Sequence, residues 1–256
     1  AVVAQSDVHG IAGGGLAVIS QDDLTGLSAG GLAVISQGRI RGGSLGGLAV
    51  MSQQSMRGFQ AGGLAVVSQG SMWGAQAGGL SVVSQGSMTG AQAAVLAVVS
   101  QGDMRGLHAG GLAAVSQGDM TGVQAGGLAL VSQGTLRGVS ASGLATVAQG
   151  DLTGITVGGL ATVTQGTARW LSAGGLAVVA GRIEGAALSG GKIITPDQAG
   201  LAISPYNDVR GINRGISIGI YNYARSVSGL QVGLLNYVRD NADGLRLLPL
   251  VNRSWR

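Results

Sequence analysis

Residues Gly79 to Ala94 read GLSVVSQGSMTGAQAA, and Val95-Leu96 opens the next copy. The copy is one of a long series. Leu recurs every sixteen residues at 16, 32, 48, 64, 80, 96, 112, 128, 144, 160 and 176. Gln recurs in phase at 21, 37, 53, 69, 85, 101, 117, 133, 149 and 165. An even period suits strands, whose side chains alternate every two residues, and does not suit helices. Each copy is punctuated twice, once by Gly-Gly (Gly62-Gly63, Gly78-Gly79) and once by Gly followed by Ser or Asp (Gly86-Ser87, Gly102-Asp103). Such dipeptides are favoured in two-residue hairpin turns, where positive φ is needed. Two strands of about six residues and two such turns account for one unit.

The unit is therefore read as a β-hairpin, with one coil of a two-sided β-solenoid as the alternative. Hairpin pairing across Gly86-Ser87 places Leu80, Val82, Ser84, Thr89, Ala91 and Ala93 on one face. It places Ser81, Val83, Gln85, Met88, Gly90 and Gln92 on the other. The Ala91 position also holds Leu27, Phe59, Leu107, Val123, Val139 and Ile155. A close-packed core resists such volume changes, whereas lipid does not.

Composition narrows the class. Of 256 residues, 50 are Gly, 45% are hydrophobic, 10% are charged, 3% are aromatic, and none is Cys. Disorder needs more charge and fewer branched apolar residues, and collagen needs a three-residue Gly period. Thiol redox sites and disulfide scaffolds have no residues to use. No apolar run of transmembrane-helix length is free of paired glycines. A mean hydropathy of +0.38 is high for a surface kept in water. The net charge of +4 comes from scattered arginines and the single lysine Lys192, so no basic stripe for nucleic acid is present. The first residues show neither a basic leader nor a long apolar segment, so a processed form is expected.

Between residues 11 and 180 every ionised side chain falls at the positions equivalent to 86, 87 or 89. Arg41, Arg57, Arg105, Arg137 and Arg169 share one position with Trp73. Arg and Trp at one end of uncharged strands is the pattern of a membrane interface. The fold expected is thus an all-β, antiparallel meander of sixteen-residue hairpins closing into a wide, low-tilt outer-membrane β-barrel. Residues 1–180 form the hairpin array, and 181–256 supply irregular and fourteen-residue-repeat strands to the same sheet. Arg41, Arg57, Trp73, Arg105, Arg137 and Arg169 form the interfacial rim. Gln69, Gln76, Gln85, Gln92, Gln101, Gln117 and Gln124 form the polar rows of the inner face. The role expected is structural, pore-forming or lipid-enclosing, with membrane lipid and a homo-oligomer or larger envelope assembly as partners. The solenoid alternative is a structural or adhesive rod at the cell surface.

Chemistry is sparse. His9 and His108 lack any local Asp, Glu or Cys ligand spacing, and His108 stands where Gln60, Gln76 and Gln92 stand in other copies. The Met column at 56, 72, 88, 104 and 120 accepts Leu at 24, 136 and 152, as an apolar strand position does. No phosphate-binding loop is present. No catalytic, metal or cofactor residue is assigned, and an enzyme is not expected.

After Ala180 the period shortens. Gly229 to Asn236 reads Gly-Leu-Gln-Val-Gly-Leu-Leu-Asn, and Gly215 to Asn222 repeats it with Ser217 in the Gln place. Gly74 to Leu80 keeps the Gly, Gln and Leu, with Ser84-Gln85 where Asn would stand. The chain here resembles a family of bacterial surface-repeat proteins of spirochaetes and Bacteroidetes-type bacteria, whose units read Gly-Leu-Gln-x-Gly-Leu-x-Asn. The resemblance implies a cell-envelope or surface location and no enzymatic activity, and it carries over no catalytic residue.

Overall fold

The computed structural model describes residues 1–253, so the last three residues of the 181–256 segment lie outside it. All regular elements of the described residues are strands. The chain divides into two compact units, Ala1–Val131 and Ser132–Arg256.

In the first unit each copy contributes a short strand, such as Ala65–Ser68, and a longer one, such as Met72–Gly78. Neither pairs with its chain neighbour across a turn. Ala65–Ser68 pairs in parallel with Ser81–Ser84, and Met72–Gly78 pairs in parallel with Met56–Gly62 and Met88–Ala94. The register is sixteen residues throughout, so each residue stacks on its own copy. The unit is a parallel β-solenoid, and the expected antiparallel barrel is overturned in favour of the alternative.

The reason lies at the glycine pairs. They serve as corners of a coil, and their amides continue the ladder by donating to the preceding coil. Gly79 N–H reaches the Gly62 carbonyl at 3.0 Å, Leu80 reaches Leu64 at 2.7 Å, and Gln85 reaches Ser68 at 3.0 Å. Every such corner group therefore has a partner without a hairpin. A third corner sits inside the long strand. Gly74 has φ +108°, and its copies from Gly26 to Gly122 lie between +107° and +119°. A Cβ on Gly74 would run into the carbonyl oxygen of Gly58, so both conformation and space demand glycine.

These corners change which residues face inward. A hairpin turn swaps the parity of the inner positions, but a coil keeps it. Val82, Ser84, Met88 and Gln92 all point inward, each two or four residues after the last. The two expected faces are thus each divided between inside and outside. The interior is filled by a Val column (Val66, Val82, Val98) and a Met column (Met56, Met72, Met88), all fully buried. No lumen remains to hold a lipid, which overturns the lipid-enclosing expectation.

The second unit starts with the same coil. Leu136–Ser142 pairs with Leu152–Gly158 sixteen residues on. The offset then falls to fifteen, Thr167 pairing with Arg182, and to fourteen, Ile216 pairing with Leu230. Buried Ile183 and Ile193 fill the interior of the fifteen-residue coils, and Val209, Ala224 and Val238 fill the last ones. The final strand, Leu247–Asn252, pairs antiparallel with Leu230–Val238.

Candidate functional site

The expected rim residues share one corner of the coil. Arg41, Arg57, Trp73, Arg105, Arg137 and Arg169 are the second or third residues of their long strands and point into solvent. Stacking by sixteen brings copies together, and the Arg57 guanidinium lies 4.3 Å from the Trp73 ring centroid. Two residues earlier runs a column of Asp, Ser and Thr whose role the charge pattern concealed. In several copies the side chain accepts a hydrogen bond from the amide of the next copy. The Asp23 amide donates to Asp7 at 3.0 Å, the Asp119 amide to Asp103 at 3.0 Å, and the Thr167 amide to Asp151 at 2.8 Å. Where Ser replaces Asp, the Ser87 amide donates to Ser71 Oγ at 3.2 Å. The Arg39 amide, aided by the Arg39 guanidinium, holds the Asp23 carboxyl below its ordinary pKa against a smaller opposing effect of burial. The readable signal was a short acceptor side chain at one position in almost every copy.

The expected glutamine rows separate. Gln69, Gln85, Gln101 and Gln117 lie outside, exposed at the corner. Gln76, Gln92 and Gln124 lie inside and are buried, in a column with Ser44, Gln60 and His108. Within it Gln76 Nε2 donates to Gln60 Oε1 at 2.9 Å, and Gln92 Nε2 donates to Gln76 Oε1 at 2.6 Å. His108 interrupts the chain of amides: neither ring nitrogen has a partner, nor has Gln92 Oε1. Burial pushes the imidazole pKa down to about 4. A second internal column, of Ser, ties the corner to its neighbour. Ser84 Oγ donates to the Gly70 carbonyl at 2.7 Å, and Ser100 Oγ to that of Gly86 at 2.8 Å.

The family-like motif of the second unit has a comparable internal logic. Asn207, Asn222 and Asn236 form a buried ladder, with Nδ2 donating to Oδ1 at 2.7 Å in both steps. Gly219 and Gly233, three residues before Asn222 and Asn236, make room, since a Cβ on Gly233 would come within 2.6 Å of Asn222 Nδ2. Tyr206 stacks on Tyr221 and Tyr223 on Tyr237, at centroid distances of 5.5 and 5.6 Å.

The surface best suited to a partner is the outer side of the long strands in the first unit. Three outward rows run along it, carried by Ala75, Ala77 and Gly79 and their copies, with the Leu80 row beside them. The Ala77 and Gly79 rows and the glycines between them floor a shallow groove of about 1240 Å³, which runs from the Gly13 coil to the Gly127 coil. Its sides carry Phe59, 50% exposed, Leu107, 56% exposed, and the Leu column. No ionisable side chain lines it. Among the described residues, no three His, Cys, Asp or Glu side chains gather as metal ligands would. Among these residues no helix is long and apolar enough to cross a membrane. Comparison with protein families, with characterised proteins and with solved structures found no match.

Proposed function

We propose that the chain is a non-enzymatic β-solenoid of the bacterial cell surface or envelope, with a structural or adhesive role. The observation that carries this reading is the division of the first unit's exterior. Charge and Asp/Ser/Thr acceptors occupy one corner, while the groove face is apolar over all its coils. An apolar patch of this extent is a contact surface rather than a surface meant only for water. The interior supports a structural role too, since its polar side chains are spent on coil-to-coil ladders. The likeness of Gly229–Asn236 to surface-repeat proteins supports the location. Fractionation of the cells that make the chain tests it. The protein should track with the envelope, be cleaved by protease added to intact cells, and leave in detergent-free buffer. Recovery in the cytosol, shielded from that protease, would overturn the reading.

A further inference from the structure

The groove face follows a rule within each coil. Of the three outward positions, seven of the eight coils carry one bulky residue and two small ones. It is usually at the first position, as in Phe59-x-Ala61-x-Gly63 and Leu107-x-Ala109-x-Gly111. The exceptions keep the rule. Where the first position is Gly43, the bulk moves to Leu45, between two glycines. Where it is Ala91, the bulk moves to Val95. Leu45 and Val95 are 51% and 63% exposed, so the shift does not fill their own core. Only the Ala75 coil lacks a bulky residue.

We propose that this face is a dimer interface, occupied by the same face of a second copy in parallel orientation. A two-fold axis along the solenoid, over the Ala77 row, lays the first row of one copy against the third row of the other, coil for coil. Phe59 then meets Gly63 of the second copy, Leu107 meets Gly111, and Val95 meets Ala91. Leu45 meets itself in the one coil flanked on both sides by glycine. Knob faces hole in six coils. Reversing one copy about the Phe59–Ala75 midpoint sets Leu27 against Leu107 and Ile11 against Val123, knob on knob. The one-coil period also selects the partner, because a matching row of sites at the same spacing belongs to another such solenoid. A fluid lipid surface would not require one bulky residue per coil.

The area suffices. Seven steps of about 4.8 Å give a length of about 34 Å, and the five steps from the Ala75 row to the Leu80 row span about 16 Å. The pair therefore buries about 1,100 Å² before side-chain relief is added, just above the roughly 1,000 Å² that a biological interface has to clear. Isologous, apolar contact of this kind is the usual form of a homodimer.

The inference extends the surface-solenoid reading without depending on location, since it is tested on the purified full chain. Light scattering with size exclusion at micromolar concentration should give twice the 25.1 kDa chain mass. Ala77→Arg, on the axis, should give monomer with an unchanged β-type circular dichroism spectrum, while Gln85→Arg at the exposed corner should stay dimeric. The chain has no cysteine, so single substitutions report orientation. Ala29→Cys and Ala109→Cys should each cross-link to itself on oxidation. A monomeric wild type overturns the proposal, as does an Ala77→Arg dimer. Cross-linking only when the two cysteine variants are mixed overturns the parallel geometry. Binding of a monomer to phosphatidylcholine vesicles would assign the face to lipid instead.

Discussion

His108 shows what one residue does to a stacked column. Its glutamine predecessors pass an amide hydrogen bond from coil to coil, but the imidazole breaks the chain and lies buried without a partner. Folding favours the neutral ring, with its pKa lowered to about 4 from an ordinary 6.5. Stability is therefore complete above pH 6.5 and falls as the pH drops toward 4, because the unfolded chain takes up a proton that the folded one refuses. The full loss is about 3 kcal/mol, at roughly 1.4 kcal/mol per pKa unit. His108→Gln should flatten that dependence in urea melts between pH 4 and 6.5; an unchanged slope would show that the ring is not the cause. Trp170 is the second outlier. It stands where ten coils have Gly at positive φ, adopts φ +77°, and is 73% exposed. Trp170→Gly should raise stability by about 1 kcal/mol, since a left-handed non-glycine residue costs about 1–2. Gln231 is the third, with both amide atoms buried and unpartnered. Gln231→Leu should be neutral or stabilising by about 1 kcal/mol in the same melts, because an unmet buried amide costs about 1–3.

At the scale of the coil, the corner glycine and the inner apolar column do different work, and substitution should separate them. Met88 is fully buried, so Met88→Ala should cost about 2–4 kcal/mol through lost burial and a cavity, and still fold. Gly90→Ala meets both the positive φ and the Gly74 carbonyl oxygen. It should cost more than Met88→Ala although it adds only a methyl group, and thermal melts of the two variants test the order. The coil also shows what could be read in advance. Period, strand character, the Met column as apolar and the gathering of charge at one corner were all legible, since each depends only on residue type and spacing. Chain direction was not. An even period and two glycine corners satisfy a hairpin and a coil equally, and the choice depends on whether Gly79 N–H donates across the turn or to Gly62. The faces depend on that choice, because Val82 and Met88 share a side only when parity is kept.

For the whole molecule, each unit rests on bonds between residues fourteen to sixteen apart, so neither requires distant parts of the chain to meet before others form. Order of this kind propagates from neighbour to neighbour. The rows of the groove face were partly legible as a column that accepts almost any apolar residue. In the sequence alone that column reads as contact with lipid, because sequence shows tolerance of volume and not what tolerates it. The glutamines divided for a related reason: Gln85 and Gln92 are chemically alike, and only the corner between them separates solvent from core.

Stacking at a fixed interval makes the groove face a ruler. Its span is counted in coils, about 4.8 Å for each sixteen codons, and is set by copy number rather than by side-chain chemistry. Excising residues 79–94 would rejoin Gly78 to Val95-Leu96 in phase and shorten the face by one division, with every remaining coil still meeting a near-identical neighbour. An excision of fifteen or seventeen residues would instead leave one coil a residue too long or too short, and a corner would have to absorb the difference, as the fifteen-residue coils of the second unit do. Gene-level slippage between copies can therefore lengthen or trim this surface in whole divisions, and selection can tune its reach without redesigning its contacts.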